Sequence, residues 1–246
     1  MTAVVRALAS ARSSRMRLTD IARATGLSLP TTARLLAAMA RERLVEAEGD
    51  KTWKLGTELV YMGLSAARQH PMIGLVTPHL VALAQETGDA AYLTVRSGDD
   101  SICVFRAVGA HPAQAYTTDI GSRRPLGIGA GGLALLADLA PGEIEAILQR
   151  NAPKLAGYRY VTPATLRADI AASYGQGYTY TENHLAGGVH AAGMPLRSPS
   201  GPAIAAVSVS AIAERLAEPR RARIIQAIGE TVARIVVDLD AAGLAG

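Results

Sequence analysis

The stretch "LTDIARATGLSLPTTARLLAAM", residues 18–39, constrains this chain more than any other. Apolar residues recur at helical spacing on either side of "TGLSLP", and only a few residues separate the two runs. Gly26 stops a helix and turns the backbone, and Ser28 offers an oxygen to the first bare N–H groups of the next helix. Pro30 then falls in the first turn, where its missing N–H does little harm. Thr19 is a candidate N-cap for the earlier helix, with Asp20 in its first turn. A joint this short holds two helices at a steep angle, with Leu27 plugging the core between them.

The surroundings extend the pattern. Val4, Val5, Leu8 and Ala11 predict a first helix, and Leu35, Leu36, Met39 and Leu44 the buried face of a third. Helical geometry then turns Thr31, Arg34, Ala38 and Arg41 outward. Alternation over Leu44–Glu48, "GD" as a turn, and Thr52–Leu55 predict a β-hairpin. Three helices and a hairpin within residues 1–56 make a winged helix-turn-helix, whose third helix enters a major groove while the second braces it. On this reading Ser28, Thr31 and Thr32 at the helix start, with Arg34 and Arg41 further along, face duplex DNA. Lys51 on the wing lies near a phosphate or the minor groove.

Charge follows the same division. Residues 1–55 hold 10 Lys and Arg against 5 Asp and Glu, a balance of +5 in a chain whose total is +4. A basic small module on a near-neutral larger one fits a nucleic-acid reader, although a solubilising face would produce the same balance. A helical hairpin without a nucleic-acid role is the alternative for the opening stretch itself.

Residues 57–71 read as a linker helix, with Leu59, Val60, Met62, Gly63 and Leu64 inside and Pro71 ending or kinking it. A further helix runs to Gly88. From there to residue 246 the pattern is α+β. "AAYLTVRS" and "SICVFRAVG" form a hairpin around "GDD". Helices follow around 131–139, 142–150 and 163–175. Then come three strands, "GYTYTENH", "GVHAAGMPL" and "PAIAAVSVSA", the last two joined by "SPSG" at 198–201, and a long helix over 212–242. The domains expected are thus 1–56, a linker at 57–71, and 72–246, the last a sheet with helices on its faces.

Composition removes several classes. The single cysteine, Cys103, permits no internal disulfide and no cysteine zinc cluster, and its strand-like setting makes it a core residue in a reducing compartment. "ALASA" hints at a cleavage site, but Arg6 interrupts it, and the most apolar run, "PLGIGAGGLALLA", is too short to span a bilayer. A soluble cytoplasmic protein without metal or cofactor is expected. An enzyme, a hydrolase or oxidoreductase using the C-terminal domain, is the competing reading. Against it, the chain has no G-x-S-x-G, no H-E-x-x-H and no nucleophile with a marked base.

Two patterns point to a ligand. Gly127, Gly129 and Gly132 spell G-x-G-x-x-G before a helix. "IGSRRP" is no buried strand to precede a dinucleotide fold, and no parallel βαβ unit follows. A glycine-rich helix start still exposes N–H groups that seat a carboxylate, while close helix–sheet packing needs the same glycines. In "AAVSVSA", Ser208 and Ser210 alternate with valines. Two serines on one strand face need partners if buried and none if that face meets solvent.

Taken in order, "LTDIARATGL", "TARLLAAM", "KLG" at 54–56, "IGSRRPL" at 120–126, "GYTYTENHLAGGVHAAGMPL" at 177–196 and "AIAAVSVS" at 203–210 resemble the IclR family of bacterial transcription regulators. The resemblance implies a winged helix-turn-helix, a linker helix and a GAF-like domain that binds a small effector. It also implies homodimers or dimers of dimers on palindromic double-stranded operator DNA. The glycine loop would then line the effector pocket with Gly129, Ala130 and Gly131, and the family's pocket serines match Ser208 and Ser210. A pocket strand would supply Val189, His190 and Ala191, the last where many relatives carry Cys. His184 and His190 are both candidates for a charge-assisted bond to an acid. The expected function is a repressor of a catabolic operon that senses a small organic acid, aromatic in many catabolic relatives.

Overall fold

The computed structural model describes residues 1–11, 13, 15–49, 51–198 and 201–244. Asp50 of the expected wing turn, and Pro199 and Ser200 of the expected "SPSG" turn, lie outside them. The chain divides into two compact units, Met1–His70 and Pro71–Gly246.

The smaller unit runs α1 (Thr2–Ala9), β1 (Met16–Arg17), α2 (Leu18–Thr25), α3 (Leu29–Arg41), β2 (Val45–Glu48), β3 (Thr52–Leu55) and α4 (Thr57–Gln69). Ser28 caps α3, its hydroxyl oxygen accepting from the Thr31 N–H at 3.3 Å. Gly26 ends α2 in the left-handed region at φ 68°, where a side chain is disfavoured. Thr19 caps nothing. It is the second residue of α2, because Met16 and Arg17 are drawn into the sheet by Trp53 and Thr52 and leave Arg17 at the cap position. That pairing makes a third strand beside the expected hairpin, in the order β1-β3-β2. Val4, Leu8, Ile21, Leu36, Met39 and Val45 close the core, with Leu35 and Leu44 partly buried at its edge.

α4 departs from expectation. It buries none of its residues, and Val60, Tyr61, Met62 and Leu64 stand in solvent, Val60 and Leu64 at 62% exposure. The spacing that predicts an inward apolar face is present, but no element of its own unit packs over it.

The larger unit is α5 (Pro71–Thr87), β4 (Ala90–Ser97), β5 (Asp100–Ala107), β6 (Arg123–Pro125), α6 (Gly129–Ala137), α7 (Pro141–Leu155), α8 (Pro163–Ser173), β7 (Thr179–Glu182), β8 (Val189–Arg197), β9 (Ala203–Ile212) and α9 (Arg220–Ala241). All six strands pair antiparallel, in the order β6-β5-β4-β9-β8-β7. No dinucleotide crossover exists in such a sheet. Pro71 does end the linker helix, α4 stopping at Gln69, and it also opens α5, since its ring suits a first turn. Two expectations need correction. α9 begins at Arg220, after a 3-10 turn over Ala213–Leu216 and the Glu218–Pro219 pair, not at residue 212. Residues 123–125 do form a strand, but at the sheet edge, where a proline is tolerated.

Strand alternation sorts this unit into layers. Leu93, Ala192, Leu196, Val207 and Val209 point to one face and pack with Val76, Leu80, Leu83, Ile228 and Ile235 of α5 and α9. The opposite face carries Tyr92, Thr94, Ser208 and Ser210 and is roofed by α6. α6 is apolar all round and buried from Gly129 to Leu136, held outward by Ile147 and Leu148 of α7 and Leu166 of α8. Beyond the strands, Asp89 is 1% exposed and grips Arg215 at 2.9 Å and Arg220 at 2.6 Å, tying the start of β4 to the start of α9.

Candidate functional site

In the smaller unit the candidate surface is the outer side of α3. Ser28, Arg34 and Arg41 are exposed and Thr31 is half-exposed. The Ser28 and Thr31 hydroxyls lie 2.8 Å apart at the helix start. Arg34 and Arg41 have no carboxylate partner among the described residues, and neither has Lys51 on the wing. Thr32 is a correction. It is fully buried, and its hydroxyl donates to the Ser28 carbonyl at 2.9 Å. One residue along a helix is a rotation of about 100°, which puts Thr31 on the open face and Thr32 in the core.

In the larger unit a pocket lies between the sheet and the start of α6, with about 580 Å³ of empty space when the open solvent at its mouth is counted. Gly129, Ala130 and Gly131 line it, with Ser208, Ser210, Val189 and Ala191. Gly131 has no room to be otherwise. A Cβ there would stand 2.9 Å from Thr94 Oγ1 and 3.2 Å from Ser208 Oγ. Gly193 lets the helix sit this close, since a Cβ on it would come within 3.0 Å of the Ala130 carbonyl. The packing reading of the glycines holds: they let the helix lie close on the sheet, with its first turn at the cavity wall.

Both serines are buried, at 6% and 5% exposure, so the strand face they share is not the solvent face. They differ in what they offer. Ser210 donates to the Ala115 carbonyl at 3.2 Å and lies 3.3 Å from the Tyr92 hydroxyl. The Ser208 hydroxyl has no hydrogen-bond partner among the described residues and is the free one.

His190 does not reach the cavity. In β8 the pleat sends Val189 and Ala191 to the cavity side and His190 to the other, where its Nδ1 meets the Tyr180 hydroxyl at 2.7 Å. His184, just beyond β7, does line the cavity and is 6% exposed. Its Nε2 lies 2.9 Å from Asp169 of α8.

Sequence reasoning missed Arg124. Strand β6 pairs it with Ser101, and its Nη2 donates to the Thr117 carbonyl at 2.7 Å while the side chain edges the cavity. Neither contact is local, so no spacing announces it. Cys103, read as core, is buried and also part of the wall. Burial pushes its thiol up to about 11, outweighing the hydrogen bond to Phe105 and the field of Arg106. Burial likewise raises the Tyr92 phenol. Burial thus favours the neutral form of both groups.

Comparison with known proteins agrees with this geometry. The IclR helix-turn-helix domain matches residues 2–49, and the C-terminal domain of the bacterial transcriptional regulator IclR matches residues 64–237. Transcriptional repressor IclR of Escherichia coli is 26% identical over 209 residues, spanning 82% of this chain and 75% of that protein. An IclR transcriptional regulator from Silicibacter superposes with a TM-score of 0.81 over 97% of this chain and 95% of its own, at 20% identity. An IclR homologue from Microbacterium hydrocarbonoxydans, solved with 4-hydroxybenzoate, superposes at 0.74 over 97% and 98% of the two chains, at 25% identity.

Proposed function

The chain belongs to the IclR family of bacterial transcriptional regulators, and from that premise we propose that a small carboxylic acid, held in the larger unit's cavity, sets its affinity for an operator read by α3. Ser28, Thr31, Arg34 and Arg41 face the major groove, and Lys51 meets the backbone beside it. Two copies bind a palindrome, because one winged module reads too few base pairs. The uncovered face of α4, with Val60 and Leu64, supplies the apolar surface of that homodimer. A repressor of a catabolic operon, working in the cytoplasm, fits this arrangement. No helix of the described residues is long and apolar enough to cross a membrane.

The observation that carries the reading is the wall of the cavity. A bare helix start and the free Ser208 hydroxyl give donors for a carboxylate, while Ile128, Leu185 and Val189 take an apolar body. An aromatic acid suits that mixture, in line with the 4-hydroxybenzoate held by the Microbacterium homologue. The acid acts on DNA affinity only through its different affinities for two arrangements of the protein.

The test joins operator binding to acid binding. Duplexes selected from a random pool are titrated with and without candidate acids, for the parent and for Ser208→Ala. The variant is expected to keep its operator affinity and to weaken the acid by about tenfold or more, the effect of losing one hydrogen bond to a charged group. An acid response that Ser208→Ala leaves intact places the effector elsewhere. Sedimentation of Val60→Glu combined with Leu64→Glu tests the dimer, which should fall to monomer. A parent that is already monomeric at micromolar concentration rejects the pairing.

A further inference from the structure

Four buried side-chain atoms lack a hydrogen-bond partner among the described residues: Gln114 Oε1, Asn151 Oδ1, Arg124 Nε and His184 Nδ1. The last two belong to the wall of one cavity. They are opposite in kind, and the difference specifies a ligand.

Arg124 Nε carries a hydrogen and a share of a fixed positive charge. Cross-strand partners share a face, so Arg124 lies on the same side as Ser101, whose hydroxyl sits against Gly132 in the first turn of α6. The guanidinium and the positive end of α6 are therefore on one side of the cavity. Among the described residues, no Asp or Glu lines that cavity to balance them. A buried, unpaired N–H on a cation calls for an anion.

His184 presents the reverse. Its Nε2 faces the Asp169 carboxylate, which can only accept, so Nε2 is the donor. In the tautomer this selects, Nδ1 carries a lone pair, and it has no partner among the described residues. A carboxylate placed there would meet that lone pair and be repelled, whereas a hydroxyl would donate to it.

We propose that the ligand is a hydroxycarboxylic acid bound in one orientation, its carboxylate on Arg124 and its hydroxyl donating to His184 Nδ1. This rests on the reading of the cavity as the effector site. The body of the ligand lies against Ile128, Leu185 and Val189.

Calorimetry on the full chain tests it with matched probes: 3- and 4-hydroxybenzoate against benzoate, 4-hydroxybenzyl alcohol as the hydroxyl without the charge, and lactate against propionate. In the parent, a hydroxy acid should bind about tenfold or more tighter than its partner lacking the hydroxyl, the worth of one buried hydrogen bond. His184→Phe should bring that ratio to about one while leaving the plain acid's affinity in place, since Asp169 is part-exposed and stays solvated. Arg124→Met should weaken every acid and leave 4-hydroxybenzyl alcohol unchanged, with circular dichroism reporting the fold. Arg124→Lys, which keeps the charge, should fall between parent and Arg124→Met.

If acids bind, and Ser208→Ala weakens them, but the parent shows no preference for a hydroxyl, the orientation is wrong and the effector site stands. A preference that survives His184→Phe likewise overturns the orientation alone. If no probe binds, both the orientation and the site fall.

Discussion

The two units dispose of positive charge in opposite ways. In Pro71–Gly246, ten Lys and Arg side chains each face a carboxylate, from Arg96 on Glu143 to Arg221 on Glu218. In Met1–His70 three do among the described residues: Arg15, Arg23 and Lys54. Arg34, Arg41, Arg43 and Lys51 stand exposed without one among those residues. A cation paired within its own chain has little left for a partner, while an exposed unpaired one releases counterions when it meets a phosphate. On the proposed reading the smaller unit's surplus is a binding property and the larger unit's pairing a structural one. Arg124 is the instructive one of the four left over, since Arg159, Arg223 and Arg234 are exposed. It is partly buried, sits in the paired unit, and has no carboxylate.

That contrast can be broken first at Asp89. Replacing it by Ala removes the carboxylate shared by Arg215 and Arg220 and leaves them only the Thr87 carbonyl in common, and chemical denaturation should show a loss of about 3–5 kcal/mol, the usual result of breaking a buried pair from one side. A loss under about 1 kcal/mol, the range of exposed pairs, would mean that the ion pairs of this unit are ornamental. Arg34→Ala should do the reverse, leaving the melting temperature where it was and weakening the selected operator by roughly 1–3 kcal/mol, as for a base contact. Lys51→Ala should be the mildest, lowering affinity equally for all duplexes and reducing the salt slope by about one. A sequence-dependent loss at Lys51 would make the wing a reader of bases.

Cys103 sharpens the comparison from inside the larger unit. Its thiol titrates near 11 in the folded chain against a reference of 9.0. Alkylation at pH 8 should be slow in the native protein, immediate after denaturation, and slower still with a bound acid, since Cys103 is part of the cavity wall. The sign of the linkage follows. The unfolded chain releases this proton first, so its contribution to stability is whole below about pH 9 and is lost as pH rises toward 11. Cys103→Ala should flatten the alkaline limb of the stability curve.

What is legible in the sequence is local. Gly26, Ser28 and Pro30 announce the joint of α2 and α3 because caps and stops act within a turn. The period of two in "AAVSVSA" announces a strand with unlike faces. Which face borders the cavity is not legible, because that depends on α6 lying across it, a contact between residues far apart in the chain. Thr32 and His190 fail for a related reason. Each neighbours a residue on the intended face, and one step along a helix or strand changes sides. The strand period of "GVHAAG" is enough to separate them: with Ala191 in the pocket, His190 must face away from it. Arg124 and the bare face of α4 have no such local signal. The first depends on a carbonyl at Thr117 and the second on what does not pack over it.

Strand β9 carries a last consequence, for how such a regulator changes its mind over generations. Val207 and Val209 belong to the packed layer beneath α5 and α9, and Ser208 to the cavity. Neighbouring codons thus answer to different selection. On the proposed reading, a substitution at 208 would alter what is recognised and leave the packing of its flanking valines alone, so new chemical preferences could be tried without first risking the scaffold.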